Sequence, residues 1–372
     1  NLENPKEEPE VLHGHTYGVC SVAFQPTDPQ RFVSCSWDRT IRFWNFEPEP
    51  KIFEYPRKNQ ELKLDTDAIS VVFINDEQFV IGYADGTVLV KGIKNHGQSE
   101  EIELPDIKSN EVSAIAFFTN QEGKIEKVAW SIGKEVWVYL MNSKDSITKS
   151  VEYCQITSLA FSPDGKILAL GSNDDYENLE KVKIWTLNLC ENEFKPLDYT
   201  RPVTSIVFKQ DSAKNQTYLA VASRNTNNHE KSYKEGEITL WDVTSSTRVD
   251  RKLVSKASGK DSPIILAFSG KENKLALGTD NSYVELYEVT SEGLLSNLEK
   301  SLPEGQQNSL NLDSWITALV FSEDGQWLAT GQCNGIIQIW DLKHPNPKPL
   351  VLRGHEERIN AIAFSPNGEY LV

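Results

Sequence analysis

The residue types of a hydrolytic triad occur together near the start of the chain, at His15, Ser34 and Asp38. A serine hydroxyl beside an imidazole that a carboxylate orients is the arrangement that makes a nucleophile. Ser34, however, sits in the run Phe32-Val33-Ser34-Cys35-Ser36, without the G-x-S-x-G elbow that exposes such a hydroxyl. The three residues are therefore read as structural. Metal chemistry has no better set. His96 and His229 lie in polar stretches with no second ligand near in sequence, and Cys20, Cys35, Cys154, Cys190 and Cys333 form no C-x-x-C pair. There is no G-x-x-x-x-G-K-S/T phosphate loop. No metal and no cofactor are expected.

What surrounds these residues is more regular than the residues themselves. Three short apolar runs, Val19 to Phe24, Arg31 to Ser36 and Thr40 to Trp44, are separated by Gln25-Pro26 and Trp37-Asp38-Arg39. Each has strand length and strand composition. The end of the first run recurs at Ser70–Phe73, Ala114–Phe117, Ser158–Phe161, Ser205–Phe208, Ile265–Phe268, Ala318–Phe321 and Ala361–Phe364. The final Phe residues are 43 to 60 residues apart. The third run recurs around Val136–Leu140, Trp185, Trp241, Tyr287 and Trp340, and most weakly at Val88–Gly92. Turn signals fall between the runs, as at Ser162-Pro163-Asp164-Gly165 and Asn334-Gly335. A sheet of this size cannot bury both faces alone, so each unit needs stacked neighbours.

Composition bounds the partners. The 372 residues carry a net charge of −16, with pI near 4.9, which argues against nucleic acid or an anionic membrane. No apolar run has membrane-spanning length. Scattered thiols inside strand-like runs fit a reducing compartment, and a cytoplasmic location is expected. Residues 1–10 read as an acidic tail or linker, ahead of one repeat domain over 11–372. The single methionine is Met141, so the chain reads as either processed or part of something longer, and a fragment of a longer repeat protein is expected.

On the Gly14-His15 and Gly354-His355 openings, the three-strand runs and the Trp-Asp-like endings, the chain resembles the WD-repeat β-propellers. The resemblance implies an all-β fold. It is a β-propeller of four-stranded antiparallel blades, with seven complete repeats and a partial eighth that stops after Ile359 to Val372. Val11-Leu12 then reads as the outer strand of a preceding blade. A seven-bladed ring with spare strands comes first, and an eight-bladed ring or an open arc second. Carried over residue by residue, the family's hydrogen-bond network falls on His15, Ser34, Asp38 and Trp44. The seventh repeat keeps Thr330, Asn334 and Trp340, and the eighth keeps His355. The remaining blades lack the set and are expected to be held by apolar packing.

In this fold the loops before the first strand and between the second and third strands share one face. Two of the latter are long: Asn173 to Glu180, with Tyr176, and Arg224 to Lys234, with Tyr233. Trp37 and Tyr83 occupy equivalent turns, and Trp315 just precedes a first strand. Tyr176, Arg224, Tyr233, Trp37, Tyr83 and Trp315 are thus the candidate contacts of a protein or peptide partner. The expected function is a non-catalytic interaction scaffold or sensor. The repeats also resemble sensor arrays fused to bacterial signalling ATPases, which implies an ATPase or signalling domain upstream in the same polypeptide. The rival reading is a propeller hydrolase or lyase acting in the central channel. It needs His, Asp or Glu on the innermost strands, which offer Ser, Thr and apolar side chains.

Overall fold

In the computed structural model the recurring runs are strands, and among the described residues they build seven antiparallel sheets. The structure describes residues 12–46, 61–64, 66–75, 78–85, 87–92, 102–103, 112–120, 125–143, 145–151, 155–173, 181–187, 194–197, 199, 201–211, 216–223, 236–243, 247–254, 263–269, 272–279, 283–290, 295–297, 309–311, 314–343 and 349–372. None of these is helical. The first sheet sets Val19–Phe24, Arg31–Ser36, Thr40–Asn45 and Glu61–Lys63 side by side in chain order. The other six repeat that order, and Ser309–Asn311 adds a fifth strand to the sixth sheet.

The second strand of each sheet explains why the sequence reads as continuous apolar runs and not as alternation. Arg31–Ser36, Ile167–Ser172, Lys274–Thr279 and Trp327–Gln332 are buried at every position after the first. Such a strand has ladder partners on both edges and a neighbouring sheet on both faces, so no position faces water.

The innermost strands share a further device. Each pairs with its second strand through a bulge at the same place: between Val19 and Ser21, Ala68 and Ser70, Ile156 and Ser158, Val203 and Ser205, Pro263 and Ile265, and Ile316 and Ala318. The third sheet has it where Ile132 and Ser131 pair with Val112 and Ala114. A bulge leaves one residue out of the ladder and re-aims its side chain. Two of the bulged side chains reach the inner segment of the next unit. Ser113 Oγ donates to Ile156 O at 2.6 Å, and Thr317 Oγ1 donates to Ile359 O.

The eighth unit, Ile359 to Val372, is a hairpin. Ala363 and Val372 exchange N–H···O bonds of 2.9 and 3.0 Å, and Phe364 bridges Leu371. It is seated between the seventh and the first sheets. On one side Ile359, Ile362, Phe364 and Leu371 pack on Ala329, Ile337 and Ile339. On the other, Ala363, Tyr370 and Val372 pack on Phe24, Phe32 and Trp44, and Tyr370 stacks on Phe46 with ring centroids 5.1 Å apart. Asn360 Nδ2 donates to Val19 O at 2.7 Å, tying the hairpin to the first sheet. The hairpin is thus held between the seventh and the first sheets. Eight apolar clusters among the described residues fill the eight junctions between consecutive units. Leu12, expected as an outer strand with Val11, lies in no strand, and Val11 is outside the described residues.

This closure is testable. Asn360→Ala removes one hydrogen bond and strands the Val19 carbonyl, at about 1 kcal/mol. The amides of Ala363 and Val372 should then exchange about fivefold faster, with the amides of the fourth sheet unchanged. A uniform rise throughout the protein would contradict a local clasp.

Candidate functional site

The predicted network of the first sheet is present. Trp44 Nε1–H donates to Ser34 Oγ at 2.7 Å, and Ser34 Oγ lies 2.7 Å from His15 Nε2. The other ring nitrogen, Nδ1, lies 2.9 Å from Asp38 Oδ2. The consistent proton order runs from indole to hydroxyl, from hydroxyl to Nε2, and from Nδ1–H to the carboxylate. Ser34 cannot serve as a nucleophile here. It is buried, and its oxygen accepts from Trp44 Nε1–H, so no face of the hydroxyl is open to a substrate.

Asp38 is held by several donors. Thr40 Oγ1 and Thr40 N donate to Oδ1 at 2.6 and 2.9 Å, and Thr16 N donates to Oδ2 at 2.9 Å. Burial opposes the charge, but hydrogen bonds from Thr40, Thr16 and His15 outweigh it and hold the carboxyl at about 2, against an ordinary 3.8. The unfolded chain lacks these donors, so ionised Asp38 favours the fold above its unfolded value. That contribution, about 2 kcal/mol, shrinks as pH falls below about 4 and is gone near about pH 2. Asp38→Asn should therefore destabilise the protein strongly near about pH 6 and much less near about pH 2, as read by urea unfolding. A penalty that does not change with pH would show that the charge is not what matters.

The seventh and eighth repeats do not form a second network. Thr330 Oγ1 donates to Gln338 O at 3.3 Å, and Asn334 Oδ1 accepts from Ile336 N at 3.2 Å. Trp340 Nε1 is buried without a hydrogen-bond partner. His355 is exposed in the loop before the hairpin. Without a histidine before its inner strand, the seventh sheet has nothing to connect the threonine to the turn. Asn334 serves that turn, where Gly335 takes φ of +79° beside His355 O, a place with no room for a Cβ.

The fifth sheet, expected to rely on apolar packing, carries a polar set that sequence reading missed. Tyr199 stands four residues before Val203, as His15 stands four before Val19. It is buried, and burial followed by the charge of Glu237 pushes its hydroxyl far above the usual tyrosine value. Glu237 pairs with Arg201, Nη1 to Oε2 at 3.4 Å, both side chains almost fully covered. Trp241 Nε1–H donates to Thr239 Oγ1 at 3.0 Å, two residues back on its own strand. The sixth sheet does the same with Tyr287 and Glu285. In these two sheets the third-strand aromatic thus keeps a partner by a different route from the first sheet.

The partner-contact candidates separate clearly. Trp37 is 49% exposed and Trp315 62% exposed, and Tyr17, which the sequence reading passed over, is 69% exposed. Tyr83 is not available. It is 4% exposed and packs with Val71, Phe73 and Ile81, because it ends a second strand, the most covered element of each sheet. Tyr176, Arg224 and Tyr233 lie outside the described residues, as does most of the two long loops. The exposed aromatics are linked by one chain of contacts. Cys333 N donates to Trp315 O at 2.9 Å, Gly335 abuts His355, and Ile359 N donates to Gln332 O at 3.0 Å. Asn360 bonds to Val19, and Trp37 N donates to Gly18 O at 3.1 Å. Trp315, the 355–358 loop, Tyr17 and Trp37 therefore form an arc over the seventh sheet, the hairpin and the first sheet.

Cys20, Cys35 and Cys333 are free thiols, and burial pushes Cys20 up to about 11. Among the described residues no cluster of three His, Cys, Asp or Glu side chains could hold a metal, and no helix is long and apolar enough to cross a membrane.

Comparison with known proteins adds to this geometry. The family described as "WD domain, G-beta repeat" matches residues 6–45, 147–176, 306–341 and 347–372. The transcriptional corepressor LEUNIG_HOMOLOG of Arabidopsis thaliana is 22% identical over 281 residues, 73% of this chain and 31% of the relative. Nuclear distribution protein nudF of Aspergillus niger is 25% identical over 260 residues, 69% of this chain and 51% of the relative. The chain thus spans about a third to a half of these curated relatives. Among solved structures, Chaetomium thermophilum Sqt1 bound to the N-terminus of the ribosomal protein L10 superposes with a TM-score of 0.70 at 15% identity, covering 96% of this chain and 94% of that one. That likeness concerns the fold.

Proposed function

Because this chain belongs to the WD-repeat family, we propose that it is a non-catalytic scaffold that binds a protein or peptide on the face carrying Trp315, Tyr17 and Trp37. The observation that carries this reading is the arc itself. Three large aromatic side chains stand in water on a ring whose other indoles among the described residues are buried or half-buried. Exposed Trp and Tyr supply large contact area at small entropic cost and are the usual energetic centres of interfaces. The Sqt1 structure, bound to the N-terminus of another protein, supports a peptide mode on this type of fold. The non-catalytic part is supported by the first-sheet triad, whose serine is enclosed by Trp44 and His15.

The test is affinity capture from the host with the intact chain and with Trp37→Ala/Trp315→Ala. The expected result is at least one protein retained by the intact chain and reduced at least about tenfold by the double variant, whose melting temperature is unchanged. Identical retention by both would remove the arc as the binding surface.

A further inference from the structure

The turn between the second and third strands of the first sheet, Trp37-Asp38-Arg39, carries a strained residue. Arg39 has φ of +61°, and it is the one residue other than glycine with a positive φ among the described residues. In that region a Cβ crowds the following carbonyl oxygen, which glycine avoids. The seventh sheet makes the same three-residue turn with Cys333-Asn334-Gly335, and glycine, at φ of +79°, stands where Arg39 does. The sequence of the second sheet puts Gly86 at this point, in Ala84-Asp85-Gly86. The first sheet thus lacks the residue type that closes this turn without strain.

What the fold gains from Arg39 is small. Its Nε donates to Asp67 Oδ1 at 3.0 Å, reaching the loop before the second sheet, but the two side chains are 60% and 39% exposed. An ion pair in water raises the folding equilibrium by at most about fivefold, whereas a side chain held in the left-handed region lowers it by about five- to thirtyfold. Strain that the surrounding contacts do not offset marks a residue kept for another purpose.

The guanidinium is partly fixed and partly open. Asp67 engages Nε alone, and among the described residues neither Nη has a hydrogen-bond partner. Two residues back, Trp37 is 49% exposed. Its ring rests on Gly18, with ring carbons 3.3 and 3.4 Å from the point a Cβ there would occupy. One turn therefore offers an apolar surface and a fork of donors already held at one end. Such a fork matches a carboxylate, which accepts two parallel N–H bonds. The exposed charges of the 353–358 loop balance, Arg353 and Arg358 against Glu356 and Glu357, and favour neither sign.

We propose that Arg39 sets the specificity of the partner face. It selects a peptide segment in which an aspartate or glutamate carboxylate lies next to an apolar side chain. The carboxylate meets the Nη groups of Arg39, and the apolar group meets Trp37. This rests on the reading of the aromatic arc as the binding surface.

The experiment pans the intact chain against a library of random linear peptides displayed on phage. Expected is enrichment of peptides with an acidic residue beside an apolar one, and loss of the acidic preference with Arg39→Gly. Arg39→Asn, whose residue type also accepts this backbone, serves as the second variant. An enriched peptide is then synthesised with its glutamate and with glutamine in its place. The glutamine form should bind the parent at least about tenfold more weakly and bind Arg39→Gly as the glutamate form does. The same loss in parent and variant would show that the carboxylate does not meet Arg39 and would overturn the proposal. The melting temperature of Arg39→Gly should equal or exceed that of the parent, and a clear fall would overturn it too, by showing that Arg39 serves the fold. Peptides enriched by the parent and lost with Trp37→Ala/Trp315→Ala, but without acidic preference, would overturn the role of Arg39 and leave the arc standing. No enrichment over that double variant would overturn both.

Discussion

Replacing Trp44 with alanine should lower the unfolding free energy by about 3–5 kcal/mol, as read by urea denaturation. The indole is 6% exposed, stacks on Phe32 with centroids 5.9 Å apart, and belongs to the cluster that joins the first sheet to the hairpin. Its loss opens a void at that junction and leaves Ser34 with one partner in place of two. The polar share can be isolated with Trp44→Phe, which keeps most of the ring but strands the Ser34 acceptor, at about 1–2 kcal/mol. Trp340→Phe is the control. Trp340 is equally buried, yet its Nε1–H has no partner. Removing an unsatisfied buried donor offsets the lost area, so this change should be close to neutral. A Trp340→Phe penalty as large as that of Trp44→Phe would mean that ring area, not the hydrogen bond, sets the value of these tryptophans.

Arg201→Met should cost about 3–5 kcal/mol, because it leaves Glu237 buried, charged and beside Tyr199. The double variant Arg201→Met/Glu237→Leu should recover most of that loss, since removing both charges also removes their desolvation. The measurement is a double-mutant cycle in urea. A single-variant penalty below about 1 kcal/mol would show that water reaches the pair. The outcome also bears on how a diverged repeat survives. In the fifth sheet a tyrosine stands at the histidine position, and an ion pair supplies the charge that Asp38 supplies in the first.

Much of the fold was legible because strand, turn and repeat signals are local. The recurrent Phe, the tight turns at Asp-Gly and Asn-Gly, and the third-strand aromatics each report on a few neighbouring residues, and their phase fixed the sheets. The network around Trp44 was legible for the same reason, since its four members match one repeat motif. What failed depends on contacts between repeats. Tyr83 sits in a turn by sequence, yet the neighbouring strands cover it. The place of the hairpin depends on Phe46, Tyr370 and Asn360 meeting across 341 residues in the last case, which no local pattern encodes. Tyr199, Arg201 and Glu237 match no motif. They emerge only when the fifth sheet is aligned on its ladder, where Val203 pairs with Ser223 as Val19 pairs with Ser36.

The division of the apolar interior into eight junction clusters has an evolutionary consequence. A protein with one central core transmits the effect of a poor substitution to every element that touches it. Here a substitution is felt mainly by the two units that share a seam. Each repeat can therefore drift under selection from two neighbours alone, and a lost motif can be replaced by whatever its own seam accepts. A histidine network and a tyrosine with an ion pair can therefore stand in one circle, each fitted only to its own seam.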